Sequence, residues 1–73
     1  MIVKRYEIEY KTRITKVLKV AYVIARTKVE VKRVLARQEA SPIIQWVGEI
    51  ATVNVPDNVL VPYIEKIEFV KKR

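Results

Sequence analysis

The chain has 73 residues, a net charge of +7, a hydrophobic fraction of 51% and one Gly. This length predicts a single domain, residues 1–73, near the lower limit for a self-sufficient core, and the composition excludes a disordered chain. Cys and His are absent, which excludes a disulfide framework and the usual thiol and imidazole metal ligands. The lack of Cys is compatible with a reducing cytoplasm, where we expect the protein.

Membrane association is not expected from the sequence. The longest nearly apolar run, residues 20–25, is far short of the roughly 20 residues that span a bilayer. No targeting segment is visible at the start of the chain. Charged residues make up 32% of the chain, a composition that favours a thermophilic source.

Positive charge is concentrated in the first half of the chain. Residues 1–38 contain eleven Lys and Arg against three Glu, a net charge of +8. Residues 39–73 contain four Lys and Arg against five acids, a net charge of −1. Such asymmetry is typical of a surface that binds a polyanion, most often nucleic acid. The alternative is that the cations only keep the domain in solution.

Two strands are predicted in the first 25 residues. In residues 2–10, Tyr6, Ile8 and Tyr10 share one face and charged residues occupy the other, which is the two-residue period of a strand. Polar residues and a turn follow. Residues 17–25 would be apolar nearly all round as a helix, but four of the nine are β-branched and lose rotamer freedom there. A strand inside a sheet is therefore favoured over a helix.

A helix is predicted over about residues 28–39. Thr27 and Glu30 have capping-box spacing, in which the Thr27 hydroxyl accepts from the Glu30 amide and the Glu30 carboxylate reaches back to Thr27. Behind them, Val31 and Leu35 belong to an apolar stripe. A Ser-Pro pair ends the helix, because the residue before proline is pushed out of the α region.

Extended chain is predicted after the helix. The apolar set of residues 43–55 changes parity at Gly48, which suggests a bulge or bend there. A turn at 56–58 is followed by extended residues 59–62. Residues 63–70 fit a strand or a helix, and we favour the strand. The resulting β-β-α-β-β order predicts an α+β fold, a small antiparallel sheet with one helix packed on one face.

The first fifty residues have a recognisable outline. The order of elements is a first strand that begins with basic residues (4–8), a second strand (20–25), a capped helix (27–35) and a return strand from Ile43. This order resembles archaeal ribosomal protein LX and other small archaeal or viral domains. This resemblance implies RNA contact through a basic surface.

A second resemblance starts from the predicted helix. Residues 27–35 are similar to the second helix of a ribbon-helix-helix DNA binder, with residues 2–10 as the ribbon. That resemblance implies a first helix at residues 17–25.

Catalytic groups are not apparent, so we expect no enzyme, no cofactor and no small-molecule substrate. Ser41 precedes a proline with no base in sight, and there is no Gly-rich phosphate loop. A metal-free ribonuclease using Lys, Arg and Tyr is the catalytic alternative. Glu7 and Glu9, about 7 Å apart on one strand face, could hold a metal, but cross-strand ion pairing is favoured.

The candidate binding residues are cations of the first hairpin and of the helix, which could grip phosphates. The helix cations also stabilise the helix dipole; the hairpin cations have no such role and are the stronger candidates. The predicted nucleic-acid-binding residues are Arg5, Lys11, Arg13, Lys16, Lys19, Lys32, Arg33 and Arg37.

Partners follow from charge, size and aromatic content. We expect DNA or RNA as the ligand and a homodimer, since small sheets have edges that invite pairing. The alternative is a protein–protein or self-assembling accessory protein. Aromatic residues could stack on bases, but core packing is favoured, with Tyr10 as the exception because it adjoins Lys11 near a loop.

Overall fold

Four strands and one helix form the part of the chain that the computed structural model describes, residues 1–14 and 16–70. Neighbouring strands are all antiparallel, in the spatial order β3-β1-β2-β4. The predicted α+β class, a small antiparallel sheet with one helix, is confirmed. In chain order the elements are β1 (Ile2–Thr12), β2 (Lys19–Ala25), α1 (Lys28–Gln38), β3 (Pro42–Asn54) and β4 (Tyr63–Phe69).

Strand β2 resolves the ambiguity of residues 17–25, because Lys19–Ala25 is extended rather than helical. Val23 is buried on one face of the sheet, and its neighbour Ile24 is buried on the other. Since both faces of this central strand are covered at this end, its sequence is apolar without alternation.

The hydrophobic core lies between α1 and the two central strands, on what we call the helix face. Small residues of β2 lie beneath the helix, where they allow it to approach the sheet, and larger residues of β1 fill the space beside them. The helix contributes its predicted apolar stripe. The residues buried in this layer are Tyr6, Ile8, Tyr10, Ala21, Val23, Ala25, Val31 and Leu35.

The direction of the helix sets the two ends of the molecule. At the hairpin end, where β1 turns into β2, the Lys19 ammonium lies 3.3 Å from the carboxylate of Glu39, the residue that caps the C-terminus of α1. The helix therefore begins at the opposite, far end, beside Ala25. Its last turn, which includes Arg37, lies at the hairpin end.

Segment 55–62 connects the two outermost strands across the far end of the sheet. The amide of Val55 donates to the Met1 carbonyl at 2.9 Å, and the Arg26 guanidinium donates to the Val61 carbonyl at 3.4 Å. Residues Val3 and Ile24 are buried although they point away from the helix, so this segment covers them. The opposite side of the sheet, the open face, is covered at the far end only.

Two predictions about the second half are confirmed and one is wrong. The turn at 56–58 is present, with the Val59 amide donating to the Pro56 carbonyl at 3.0 Å. Strand β4 confirms the strand interpretation of residues 63–69. Residues 59–62 form no strand; they bend to carry the chain from one edge of the sheet to the other.

The bulge predicted at Gly48 is also wrong. Gly48 pairs regularly with Glu7 of β1, and the register of β3 shifts on either side of it, at Gln45 and Ile50. The reason for a glycine is the indole ring of Trp46, which lies over it: a Cβ at position 48 would overlap the ring. Close approach of an aromatic ring, not backbone conformation, therefore explains this glycine.

The predicted cap at the start of α1 is formed, and Arg26 provides a further donor to it. The Glu30 amide donates to the Thr27 hydroxyl at 3.3 Å, as predicted, and the Glu30 carboxylate accepts from the Arg26 amide at 2.7 Å. Desolvation opposes the charge of this carboxylate. Hydrogen bonds from Arg26 and Thr27 and the charge of Arg26 outweigh desolvation, and together they lower the pKa of Glu30 below 4.5.

Substituting Glu30→Gln tests the charge of this cap, because Gln retains an acceptor for the Arg26 amide. A lowered pKa in the folded state stabilises the protein above pH 4.5, and this stabilisation is lost as the pH falls through the folded pKa. We expect the variant to be less stable by about 0.5–1 kcal/mol at pH 7. In chemical denaturation, this difference should shrink below pH 4.5; a difference independent of pH would contradict the assignment.

Candidate nucleic-acid interface

The eight predicted binding residues do not form one surface. Arg5 and Lys19 lie within the sheet, on opposite faces. A second group surrounds the turn of the first hairpin, and a third lies on exposed positions of α1. The hairpin group is Lys11, Arg13 and Lys16, and the helix group is Lys32, Arg33 and Arg37.

Arg5 is already engaged by an acid of the second half of the chain. Its guanidinium donates two hydrogen bonds to the Glu65 carboxylate, at 2.8 Å and 3.0 Å. These hydrogen bonds, with the charge of Glu65, raise the pKa of Arg5. The two donors are the fork that would otherwise grip a phosphate, and in this structure Glu65 occupies both of them.

Lys19 is engaged in a similar way on the helix face. Its ammonium pairs with Glu39 at 3.3 Å and lies 5.5 Å from the centre of the Phe69 ring. Both partners hold Lys19 against the C-terminus of the helix and the edge strand β4. It therefore links secondary-structure elements rather than facing solvent as a free cation.

Folding cancels part of the charge asymmetry seen along the sequence. Three cations of the first half pair with acids of the second half: Lys4 with Glu49, and Arg5 and Lys19 as described. A fourth, Arg26, pairs with Glu30. Among the described residues, the cations of the first half without an ion pair are Lys11, Arg13, Lys16, Lys28, Lys32, Arg33 and Arg37.

The turn of the first hairpin presents its cations to solvent. The Lys16 amide donates to the Thr12 carbonyl at 2.9 Å, and Lys16 has a φ of 56°, in the left-handed region. Arg13 and Lys16 are exposed. Lys11 is half-buried and lies on the open face, near the end of β1 at the hairpin turn. We call the cations at this end of the molecule, Lys11, Arg13, Lys16 and Arg37, the basic end.

The helix group extends this positive surface along α1. Because Val31 and Leu35 point to the core, Arg33 and Arg37, four residues apart, point away from the sheet. Lys32 lies on one flank and is exposed. These three cations therefore belong to the outer helix surface, and Arg37 joins that surface to the hairpin.

The open face carries acids, contrary to a phosphate-binding role for it. Glu7 lies between Gly48 and Tyr22, and Glu9 lies between Trp46 and Val20. No cation stands directly opposite either carboxylate. The cross-strand ion pairing predicted for them is absent among residues 1–14 and 16–70, and the prediction is wrong.

Aromatic residues are distributed differently from the prediction. Tyr10 was expected outside the core, but it is fully buried because β1 continues to Thr12. Trp46 on the open face is 48% exposed and Phe69 at the β4 edge is 67% exposed. The sequence pattern contains one signal for Trp46: the glycine two residues later, on the same face, on which the ring rests.

Comparison with protein-family models, with curated proteins and with solved structures found no match to this chain. Within the described part of the chain, no helix combines the length and apolar character needed to cross a membrane. No group of three or more acids in the same part is arranged to hold a metal ion.

Replacing Tyr10 by Phe tests the buried hydroxyl. This hydroxyl forms no well-aligned hydrogen bond among the described residues, although the Glu39 carboxylate lies close enough to act on it, so its removal should change stability at pH 7 by no more than about 1 kcal/mol. Burial, and then the charge of Glu39, raise the pKa of Tyr10 from 10.0 to about 12. The wild type should therefore lose stability relative to the variant as the pH rises from 10 to 12. Chemical denaturation at these pH values measures the difference in stability between the two proteins. A variant much less stable than the wild type at pH 7 would contradict the absence of a well-aligned hydrogen bond to the hydroxyl.

Gly48→Ala tests the position of Trp46. The added methyl group must displace the ring, which can swing into solvent, so we expect a stability loss of less than about 1 kcal/mol. Since Trp46 is the chain's one Trp, fluorescence should shift to the red and acrylamide should quench it more strongly. Thr52→Ala, on the other face of β3, is the control. An unchanged spectrum in the Gly48 variant would mean that the ring does not rest there.

Proposed function

We propose that this protein binds nucleic acid without catalysis, by contacting the phosphate backbone through the basic end and the outer surface of α1. One observation carries the proposal. The cations at these two places have no acidic partner among the described residues, whereas the first-half cations elsewhere are paired, except Lys28 at the far end.

The geometry of the two groups supports this proposal. Arg13 and Lys16 project from a turn at one end of the molecule, and Arg33 and Arg37 project from the helix. Arg37 lies in the last helical turn, at the same end as the turn. A backbone could therefore run from the turn along α1 without meeting the acids of the open face. We exclude Arg5 and Lys19 from the proposed site because their partners are internal.

Phosphate contacts give affinity without sequence information. We therefore propose binding that differs little between sequences and that weakens with salt, by a slope of about −0.9 per phosphate contacted on duplex DNA, or about −0.7 on single strands. The proposal places the protein in the cytoplasm, in agreement with the lack of Cys.

The open face supports a second candidate function, a protein–protein interaction. Near the hairpin end it exposes Trp46 at 48% and Ile43 at 39%, next to the unpaired carboxylate of Glu9. Exposed aromatic and aliphatic side chains beside acids suit a protein partner with basic residues. They do not suit a polyanion.

Charge reversal separates the two functions. We expect Lys11→Glu/Arg13→Glu/Lys16→Glu to weaken binding to all DNA and RNA sequences about tenfold or more at low salt, with a smaller salt slope. Gel shifts and fluorescence anisotropy at two salt concentrations measure both quantities. Circular dichroism confirms that the variant is folded.

A pair of single substitutions controls for net charge. Arg13→Glu and Lys28→Glu change the net charge equally, and both residues are exposed without an ion pair to any described acid. Lys28 begins the helix at the far end, so only the Arg13 variant should bind markedly less well. Equal effects would indicate attraction by net charge alone. If the wild type does not bind DNA or RNA at low salt, the proposal is refuted and a protein–protein interaction becomes the favoured function.

A further inference from the structure

Two edges without a neighbouring strand among residues 1–14 and 16–70 flank the sheet, and they differ in how well they could accept another strand. Edge strand β3 is interrupted by shifts at Gln45 and Ile50. Such bulges twist an edge away from a partner. Edge strand β4 has one shift, near Glu65, and Lys66–Phe69 then pairs regularly with β2. The regular part of β4 is the better template for an added strand.

The hydrogen bonding of β4 shows which backbone groups are unpaired. The Val70 amide donates to the Leu18 carbonyl at 3.1 Å. Because an antiparallel ladder alternates, Lys66 and Glu68 also direct their backbone groups toward β2. The amides and carbonyls of Ile67 and Phe69 therefore point outward, away from the sheet.

The same two residues expose apolar side chains. Phe69 is 67% exposed and Ile67 is 36% exposed. Both lie on the helix face, since Phe69 pairs with Lys19 and Ile67 with Ala21. On the open face, Lys66 and Glu68 form an exposed ion pair at 3.4 Å along the strand.

We propose that β4 pairs with β4 of a second copy of this chain, antiparallel and centred on Ile67. Outward groups must meet outward groups, and the centres within the regular segment that pair at least three residues of each β4 are Lys66, Ile67 and Glu68. The first places Lys66 opposite its own copy, and the last places Glu68 opposite its own copy. Like charges directly opposite one another destabilise a sheet.

The register centred on Ile67 avoids both pairs of like charges and places opposite charges across from one another. Each Lys66 stands opposite Glu68 of the second copy, which gives two ion pairs across the two-fold axis. The two Ile67 side chains meet on the helix face, with each Phe69 at a diagonal within reach. Charge complementarity thus selects one register and one occupant. The dimer is a continuous sheet of eight strands, independent of whether the protein binds nucleic acid.

Exchange of the two charges gives a test that depends on the register. Alone, Lys66→Glu places Glu opposite Glu68, and Glu68→Lys places Lys opposite Lys66. Each variant should dimerise about tenfold more weakly than the wild type. An equimolar mixture of the two single variants should form dimers again. In a dimer of one chain of each kind, the two acidic side chains of one copy stand opposite the two basic side chains of the other. The double variant should also recover them by itself.

Sedimentation velocity at low ionic strength measures these populations, and circular dichroism confirms that each variant is folded. Lys4→Glu and Glu49→Lys are the matched control: they exchange an ion pair of 3.0 Å that links β1 to the other edge strand, β3. These two variants should dimerise like the wild type, both alone and mixed. A wild type that is monomeric at high micromolar concentration would overturn the proposal. The proposal would also be overturned if the Lys66→Glu and Glu68→Lys variants each dimerised like the wild type.

A cysteine probe locates the axis directly, because the chain has no Cys. In the proposed register the two Ile67 Cα atoms are about 5.5 Å apart, within the range that a disulfide spans. Ile67→Cys should therefore form a covalent dimer under mild oxidation, whereas Thr52→Cys on β3 should form no covalent dimer. The reverse result would assign the interface to the β3 edge and refute the proposal.

Discussion

One short helix has to cover a sheet that is larger than itself. Helix α1 has 11 residues, about 16 Å of length, whereas the molecule is 36 Å long. Val31 and Leu35 therefore seal only the central strands, where the fully buried residues are concentrated. The two edge strands, the hairpin turn and much of the open face remain without cover, and the properties of the surface follow from this imbalance.

The edge strands compensate with charge rather than with apolar contacts. Their acids reach inward, Glu49 to Lys4 and Glu65 to Arg5, and so connect β3 and β4 to the centre of the sheet. These exposed pairs contribute little stability individually, but they neutralise cations within the sheet. Among the described residues, the first-half cations left unpaired lie at the hairpin turn, on the outer surface of α1 and, as Lys28, at the start of that helix.

Local patterns predicted local structure well. Alternation identified β1, β-branched residues identified β2, and Thr27 with Glu30 marked the start of the helix. Predictions failed where a residue's environment depends on distant chain. Arg5 meets Glu65, sixty positions away, only because β4 lies beside β2, and the spatial order of the strands has no local signature. Glu7 has no cation opposite it for the same reason.

Edge pairing through β4 and binding through cations are geometrically compatible. A two-fold axis perpendicular to the continuous sheet points the two hairpin turns in opposite directions, so each basic end acts alone. The same axis places both helices on one side of the sheet. On that side, Arg33 of each copy points away from the sheet. A single nucleic acid lying on that side could contact both helices. Dimerisation should therefore strengthen the contribution of the helix cations while leaving that of the hairpin cations unchanged.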